Sequence, residues 1–391
     1  MNVYSSNEKF TVGGIPYAGI PILVDCAGHI VEVALRFFVE HVLPNARARD
    51  PKTWLAYGQY LYDYFGFLEA KGLRWDFLPE PNCGDIAPIS HYVRWCDATI
   101  GNSPSYINDK VGLITRLYKW AHSTGRIAQV PYVTTEVSSA HTSDGYLAHA
   151  SGRGGKVEVT NLHLTESTEP IRVLTRAQVD LLLHEVRNPT HCRVIHLGLS
   201  AGLRAEELAT FPASYVKDCS RLSPKVKSVA VRLDSSEMDT KNRKSRSVRI
   251  SVKCMNALWQ YKSTTRERLR ALNAADEHTL FLTRFGAPFV SDGFVQPLAR
   301  IGASLGFHLH PHMLRHTFAT HTLAALEDLK RKGRLRGEPL LLVRDLLGHA
   351  SVATTSRYLH FLEEIDDAYG TQYQAEIDEI AERLLGKDTV A

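Results

Sequence analysis

Apolar residues recur every three or four positions through two long tracts of the chain, and the stretch between them lacks that rhythm. The first tract has three clear segments. "VEVALRFFVEHVL", Val31 to Leu43, is helical in period and closed by Pro44. "DPKTWLAYGQYLYDYFGFLEAKG" offers Asp50 as N-cap and Pro51 at the first helical position. It carries Trp54, Leu55, Tyr57, Leu61, Tyr64, Phe65 and Leu68 on one face and ends at Gly72. "SPSYINDKVGLITRLYKWAHSTGRI" repeats the start signal with Ser103 and Pro104, and its apolar stripe is Ile107, Val111, Ile114, Leu117 and Trp120. A shorter helix fits "PISHYVRWCDATI". These elements predict a helical domain over 30–132, preceded by an irregular or strand-like arm over 1–29.

Residues 133–170 are rich in Ser, Thr and Gly and read as an interdomain linker, with part of it packing on a domain. The second tract starts near 171. Thr175 is placed to cap "RAQVDLLLHEV", and "HCRVIHLGLSAGLRAEELATF" reads as two helices broken near Gly202. "KSVAVRLDSSEMDTKNRKSRSVRIS" alternates apolar and polar around a polar turn, as a β-hairpin does. Helices follow from Val252. The expected class is therefore mainly α with a small β-sheet, with a second domain over 171–365 and a tail over 366–391. In the tail, Ile377, Ile380, Ala381, Leu384 and Leu385 share a helix face that packs either on its own domain or on a neighbouring protomer.

Charge is distributed unevenly along 391 residues whose net charge is only +4. Between Lys217 and Lys253 eleven Lys/Arg stand against four Asp/Glu, whereas from Phe361 to Ala391 nine acids stand against two bases. A basic centre suits a phosphate-bearing partner, and an acidic tail suits a separate interaction element. The six cysteines form no C-x-x-C pair, which excludes the common zinc and dithiol patterns and points to thiols in a reducing compartment. No basic start followed by an apolar run resembles a signal peptide, and no apolar run reaches membrane-spanning length, so the expectation is a cytoplasmic protein without a membrane partner.

Two arginines stand out. Arg315 shares a helix face with His312 and lies among Met313, Leu314, Phe318 and Ala319, where a guanidinium is costly without an anion. Arg204 follows Gly202–Leu203 at a helix start, three residues before Glu207. Either arginine alone reads as a local ion pair. Together they suggest a clamp for phosphate oxygens, which guanidinium groups hold in bidentate geometry at any working pH. In "LLGHASVATTSRYLH", Gly348 occupies the helix-ending position that favours positive φ, His349 follows on the turn, and Ser351 caps a helix carrying Tyr358. On its own that tyrosine reads as core, as one of sixteen in the chain. The histidines His308, His310, His312, His316 and His321 lack the spacing of a metal site, so neither metal nor cofactor is expected.

The ordered set "GLRAEEL … DTKNRKSRSVRI … HPHMLRHTFATH … LLGHASVATTSRYLH" closely resembles the catalytic domain of the tyrosine recombinases, the phage integrase family, over about 170–365. The helical segment resembles that family's core-binding domain by pattern. The resemblance implies a site-specific DNA recombinase of a mobile element, cutting and rejoining strands through a 3′-phosphotyrosine without metal or ATP. Two domains would close around a duplex bearing specific sites, with a homotetramer assembled on the DNA. Carried over by motif, Arg204 and Arg315 bind phosphate, Glu207 supports them, and His312 is the base. Lys241 protonates the leaving 5′ oxygen, with Lys244 an alternative on the same turn. His349 bonds a phosphate oxygen, and Tyr358 is the nucleophile. Arg243, Lys244 and Arg246 are expected to contact DNA from the hairpin, as are Lys110, Arg116 and Lys119 from the first domain, where a solvated face is an equal reading. The family's usual spacing is exceeded between the Arg315 helix and the His349 turn by a basic segment holding Lys330, Arg331, Lys332, Arg334 and Arg336. It reads as an extra DNA contact, chiefly through Lys332 and Arg334, or as an exposed loop, with DNA contact the preferred reading. A type IB topoisomerase and a catalytically silent DNA-binding regulator are the alternatives.

Overall fold

The computed structural model describes residues 1–45, 51–79, 85–138, 156–166, 171–273, 278–348, 352–356 and 358. Two units divide at Glu169/Pro170. Both are mainly helical, and the sheets are two-stranded and antiparallel.

In the first unit β1 (Asn2–Ser5) pairs with β4 (Pro21–Val24), and between them β2 (Thr11–Val12) pairs with β3 (Ile15–Pro16). These strands are not a detached arm. Ile20 and Leu23 enter the same core as α1 (Glu32–Phe37), α2 (Pro51–Lys71), α3 (Pro88–Trp95) and α4 (Pro104–Ser123). The Ser103 hydroxyl accepts from the Tyr106 amide at the start of α4, with Pro104 where no amide is needed. Leu61, Tyr64, Phe65 and Leu68 are buried as the period predicts, but Leu55 is exposed. It lies one position past Trp54, which takes the inward place. The described part of the expected linker holds a hairpin, β5 (Thr134–Ser138) on β6 (Lys156–Thr160), and Leu162 just beyond it joins this unit's core.

The second unit is arranged around α6 (Pro189–Ala201), a helix buried along most of its length. It packs on α11 (Pro311–Arg331), α8 (Val252–Tyr261) and β8 (Arg246–Ser251). Strand β8 pairs with β7 (Ser228–Leu233) in the register Leu233↔Arg246 to Ser228↔Ser251, which confirms the hairpin read from alternation. Helix α5 (Arg176–Glu185) starts with a reciprocal cap between Thr175 and Gln178. The short α7 (Ala205–Ala209) follows α6, and α9 (Glu267–Arg270) and α10 (Val295–Ser304) lead to α11. Helix α12 (Pro339–Leu347) and α13 (Val352–Ser356) then lead to Tyr358.

Two glycines fix the layout around α11. Gly202 ends α6 at φ 61°, and a Cβ there would lie 2.3 Å from the Phe318 ring. Gly348 ends α12 at φ 64°, and a Cβ there would lie 2.7 Å from the Arg246 side chain. Both positions need a left-handed residue without a side chain. Among the described residues no helix is long and apolar enough to cross a membrane.

Candidate active site

Glu207 is the centre of the site. It is wholly buried at the third position of α7. One carboxylate oxygen accepts the Arg204 backbone amide at 2.8 Å, and the other accepts Arg204 Nη1 at 2.9 Å. Arg246, the first residue of β8, donates both Nη groups to the same carboxylate, Nη2 to Oε2 at 2.8 Å. Burial alone would raise the acid's pKa. The hydrogen bond and charge of Arg246, with those of Arg204, outweigh it and hold Glu207 below the usual carboxylate value.

Arg315, from the second turn of α11, is 3% exposed. Its Nη1 donates to the Gly202 carbonyl at 2.6 Å and its Nη2 to the Leu347 carbonyl at 2.7 Å. These carbonyls belong to the ends of α6 and α12, where the backbone dipoles present partial negative charge. Arg204 Nη2 reaches the Leu347 oxygen too, at 3.5 Å, so the two guanidiniums stand side by side. Burial first, then the charges of Arg204 and Arg246, pull the Arg315 pKa down to about 9. Among these four groups three guanidiniums face one carboxylate, a surplus of positive charge that suits an anion.

His312 sits exposed on the first turn of α11. Partial burial, then Arg315, Arg204 and Lys241, lower its pKa, which keeps the ring neutral at neutral pH. Lys241 opens the exposed hairpin turn Lys241–Arg243, and its charge registers at His312. Lys244, the alternative, is exposed at the end of that turn. Tyr358 is 2% exposed. Its hydroxyl lies 3.0 Å from Nδ1 of His316, one turn along α11 from His312. The structure thus brings Arg204, Glu207, Lys241, His312, Arg315 and Tyr358 into one region of one unit. His349 lies outside the described residues.

Two neighbours of the site had other readings in the sequence. Arg246 was expected on DNA, yet its side chain is 10% exposed and committed to Glu207. Strand alternation carries the signal, since residues 246, 248 and 250 share the inward face. His316 was passed over among the histidines. Its spacing of four from His312 puts the two rings on one helix face, 6.0 Å apart and nearly parallel. Among the described residues no group of three His, Cys, Asp or Glu is placed to hold a metal ion.

The remaining DNA-contact expectations divide. Lys110 needs correction. It is 3% exposed, with Nζ 2.7 Å from Asp63 and 3.2 Å from Asn102, so it is an internal ion pair rather than a phosphate contact. Lys119 is exposed but pairs with Glu158 of β6. Arg116 is exposed and lies 4.9 Å over the Tyr57 ring. Arg243 and Lys244 project from the hairpin turn. In the basic segment Lys332 pairs with Asp328 at 2.6 Å and Lys330 with Glu338 at 2.7 Å, while Arg334 is exposed.

Residues 172–364 match the model of the phage integrase family. That span covers the whole described site and nearly all of the second unit. The second unit belongs to the phage integrase family. Similar proteins include a tyrosine recombinase XerC of Roseiflexus castenholzii, 32% identical over 200 residues, 49% of this chain and 56% of that protein. A second, the tyrosine recombinase XerC of Bacillus subtilis (strain 168), is 30% identical over 171 residues, 42% of this chain and 52% of that protein. The chain spans about half or less of the length of the curated relatives it matches. Among solved structures, the Tn1549 transposon integrase in complex with transposon right end DNA has a TM-score of 0.52 at 17% identity. That match covers 83% of this chain and 93% of the other. XerH site-specific recombinase bound to palindromic difH substrate has a TM-score of 0.51 at 16% identity, over 83% and 82%. These two likenesses show a shared tyrosine recombinase fold.

Proposed function

We propose that this integrase-family chain is a site-specific DNA recombinase that breaks and rejoins strands through a covalent link at Tyr358. The observation that carries the reading is the sharing of the Leu347 carbonyl by Arg204 and Arg315, with the Tyr358 phenol held in the same unit. In this mechanism a backbone phosphate seats on the two guanidiniums, which stabilise charge on its non-bridging oxygens as the transition state forms. Glu207 and Arg246 fix Arg204 from behind. Neutral His312 hydrogen-bonds a phosphate oxygen from the solvent side, and His349 does the same from its turn. Tyr358 gives its phenolic proton to a histidine base on α11 as its Oη bonds to phosphorus, and the P–O5′ bond breaks while the 5′ oxygen takes a proton from Lys241. The ester keeps the energy of the broken bond, so a 5′-hydroxyl from a second duplex reverses the step. Arg116, Arg243, Lys244 and Arg334 add salt-dependent contacts to the backbone. The partner is double-stranded DNA carrying paired sites, on which four copies assemble.

The test is a pool of short radiolabelled duplexes of randomised sequence, each nicked so that the 5′-hydroxyl fragment released on cleavage diffuses away. Wild type is expected to form adducts that survive detergent, and Tyr358→Phe none. Tight binding of the pool without adduct would make the chain a DNA-binding regulator. Relaxation of supercoiled plasmid lacking paired sites would make it a topoisomerase. Either result overturns the reading.

A further inference from the structure

His316 lies outside the set of residues that the sequence motifs assign to the chemistry, yet its ring is in hydrogen-bond contact with the nucleophile. We propose that His316, rather than His312, is the catalytic base that takes the Tyr358 proton. The inference rests on the reading of Tyr358 as nucleophile given above.

Three observations carry it. The first is the distance: His316 Nδ1 stands 3.0 Å from the Tyr358 hydroxyl, within the reach a base needs. The second is the layering of α11. His312 is exposed on the first turn, and His316 is half-buried one turn deeper, where the phenol is buried. The third is the set of neighbours. The His316 ring meets the tyrosine ring at 5.8 Å on one side and the His312 ring at 6.0 Å on the other. His312 in turn lies 6.3 Å from His310, which is 5.3 Å from exposed His308. A file of imidazoles thus runs from the phenol to solvent. The charged groups around it are Arg315 on the same helix, Arg204 at the cap of α7, Lys241 of the hairpin turn, Arg172 ahead of α5 and the carboxylate Glu206 of α7. After burial, the first three lower the pKa of the His312 ring next to His316 and Arg172 lowers that of His310, while Glu206 opposes them at His312.

The chemistry demands such a group. A phenol with a pKa of about 10 is ionised in roughly one molecule in a thousand at neutral pH. In the forward step Tyr358 Oη gives its proton to Nδ1 of His316, in the tautomer with the proton on Nε2, as the Oη–P bond forms. The P–O5′ bond breaks, and the 5′ oxygen takes a proton from Lys241. In the reverse step the 5′-hydroxyl gives its proton back to Lys241 and attacks phosphorus, the Oη–P bond breaks, and His316 returns its proton to the phenolate. His312 is left with the phosphate oxygen that its exposed position favours.

The test uses the full chain and the nicked pool. His316→Ala is expected to slow adduct formation by roughly 10²–10⁴-fold at neutral pH. The deficit should shrink as pH rises toward the phenol's own pKa. Trifluorotyrosine at position 358, whose phenol ionises unaided at neutral pH, is expected to restore the His316→Ala rate but not that of His312→Ala. Independently of DNA, 3-fluorotyrosine at 358 reports the contact by fluorine NMR, with a resonance that moves in His316→Ala and stays in His312→Ala. A wild-type rate in His316→Ala overturns the proposal. So does a deficit constant with pH and unrelieved by trifluorotyrosine, which would mark a packing role. Absence of adduct from wild type is a separate result. It removes the recombinase reading and the base role with it, whatever the fluorine spectrum shows.

Discussion

Lys110 in the first unit and Arg315 in the second are each 3% exposed, and they are buried to opposite ends. Lys110 meets the Asp63 carboxylate, the Asn102 amide oxygen and the face of Tyr106 at 4.4 Å, so its charge is answered within its own unit. Arg315 meets two neutral carbonyls, and the charged groups closest to it include two further guanidiniums. A buried cation with a matched carboxylate is architecture. A buried cation held by carbonyls among other cations has the charge balance that suits an anion.

The largest expected break in that comparison is chemical. Arg315→Ala should lower the adduct rate in the nicked-duplex assay by roughly 10²–10³-fold or more, because it removes a donor to the developing charge. Lys110→Met should leave the rate per folded molecule unchanged and reduce stability by about 1–2 kcal/mol in urea unfolding, since the partly exposed Asp63 regains water. Next comes Arg246→Leu. It strips Glu207 of its bidentate partner and leaves a wholly buried carboxylate with Arg204 alone. Unfolding should become easier by on the order of 3 kcal/mol, and adduct formation should fall because Arg204 loses its fixed backing.

A smaller effect concerns pH. His310, His312, His321 and His191 of the second unit all have pKa values below the ordinary 6.5, burial being the first cause in each. The folded unit therefore binds fewer protons than the unfolded chain below that pH, and its stability rises with pH through that window. Urea midpoints should fall as pH drops from neutral through the window below 6.5. A second loss should follow below the ordinary carboxylate value, as Glu207 is forced to take a proton. The smallest effect is the most direct reading of the anion site. Inorganic phosphate at ten times its Kd should stabilise by about 1.4 kcal/mol and raise the Tm by a few degrees. That rise should vanish in Arg315→Ala and persist in Lys110→Met.

Local signals carried much of this architecture. Ser103–Pro104, Thr175 and the glycines 202 and 348 announce helix ends because capping involves only neighbours along the chain. The β7–β8 hairpin was legible from alternation, and the same alternation could have turned Arg246 inward. What stayed hidden depends on partners far apart in sequence. Lys110 looks like any basic residue on a helix until Asp63, 47 positions away, is seen to face it. His316 and Tyr358 are 42 positions apart, and no periodicity joins them. Leu55 and Trp54 show the limit within one helix, where an apolar stripe leaves open which of two adjacent residues takes the inward place.

The sharing of one carboxylate by Arg204 and Arg246 has a consequence for how this site can change over generations. Neither arginine can be exchanged alone without orphaning oxygens that the other cannot fully satisfy, so losses at 204, 207 and 246 will not add. Epistasis of that kind makes the three positions drift as a block. A lineage that rewrites one of them must pass through a crippled intermediate or replace all three.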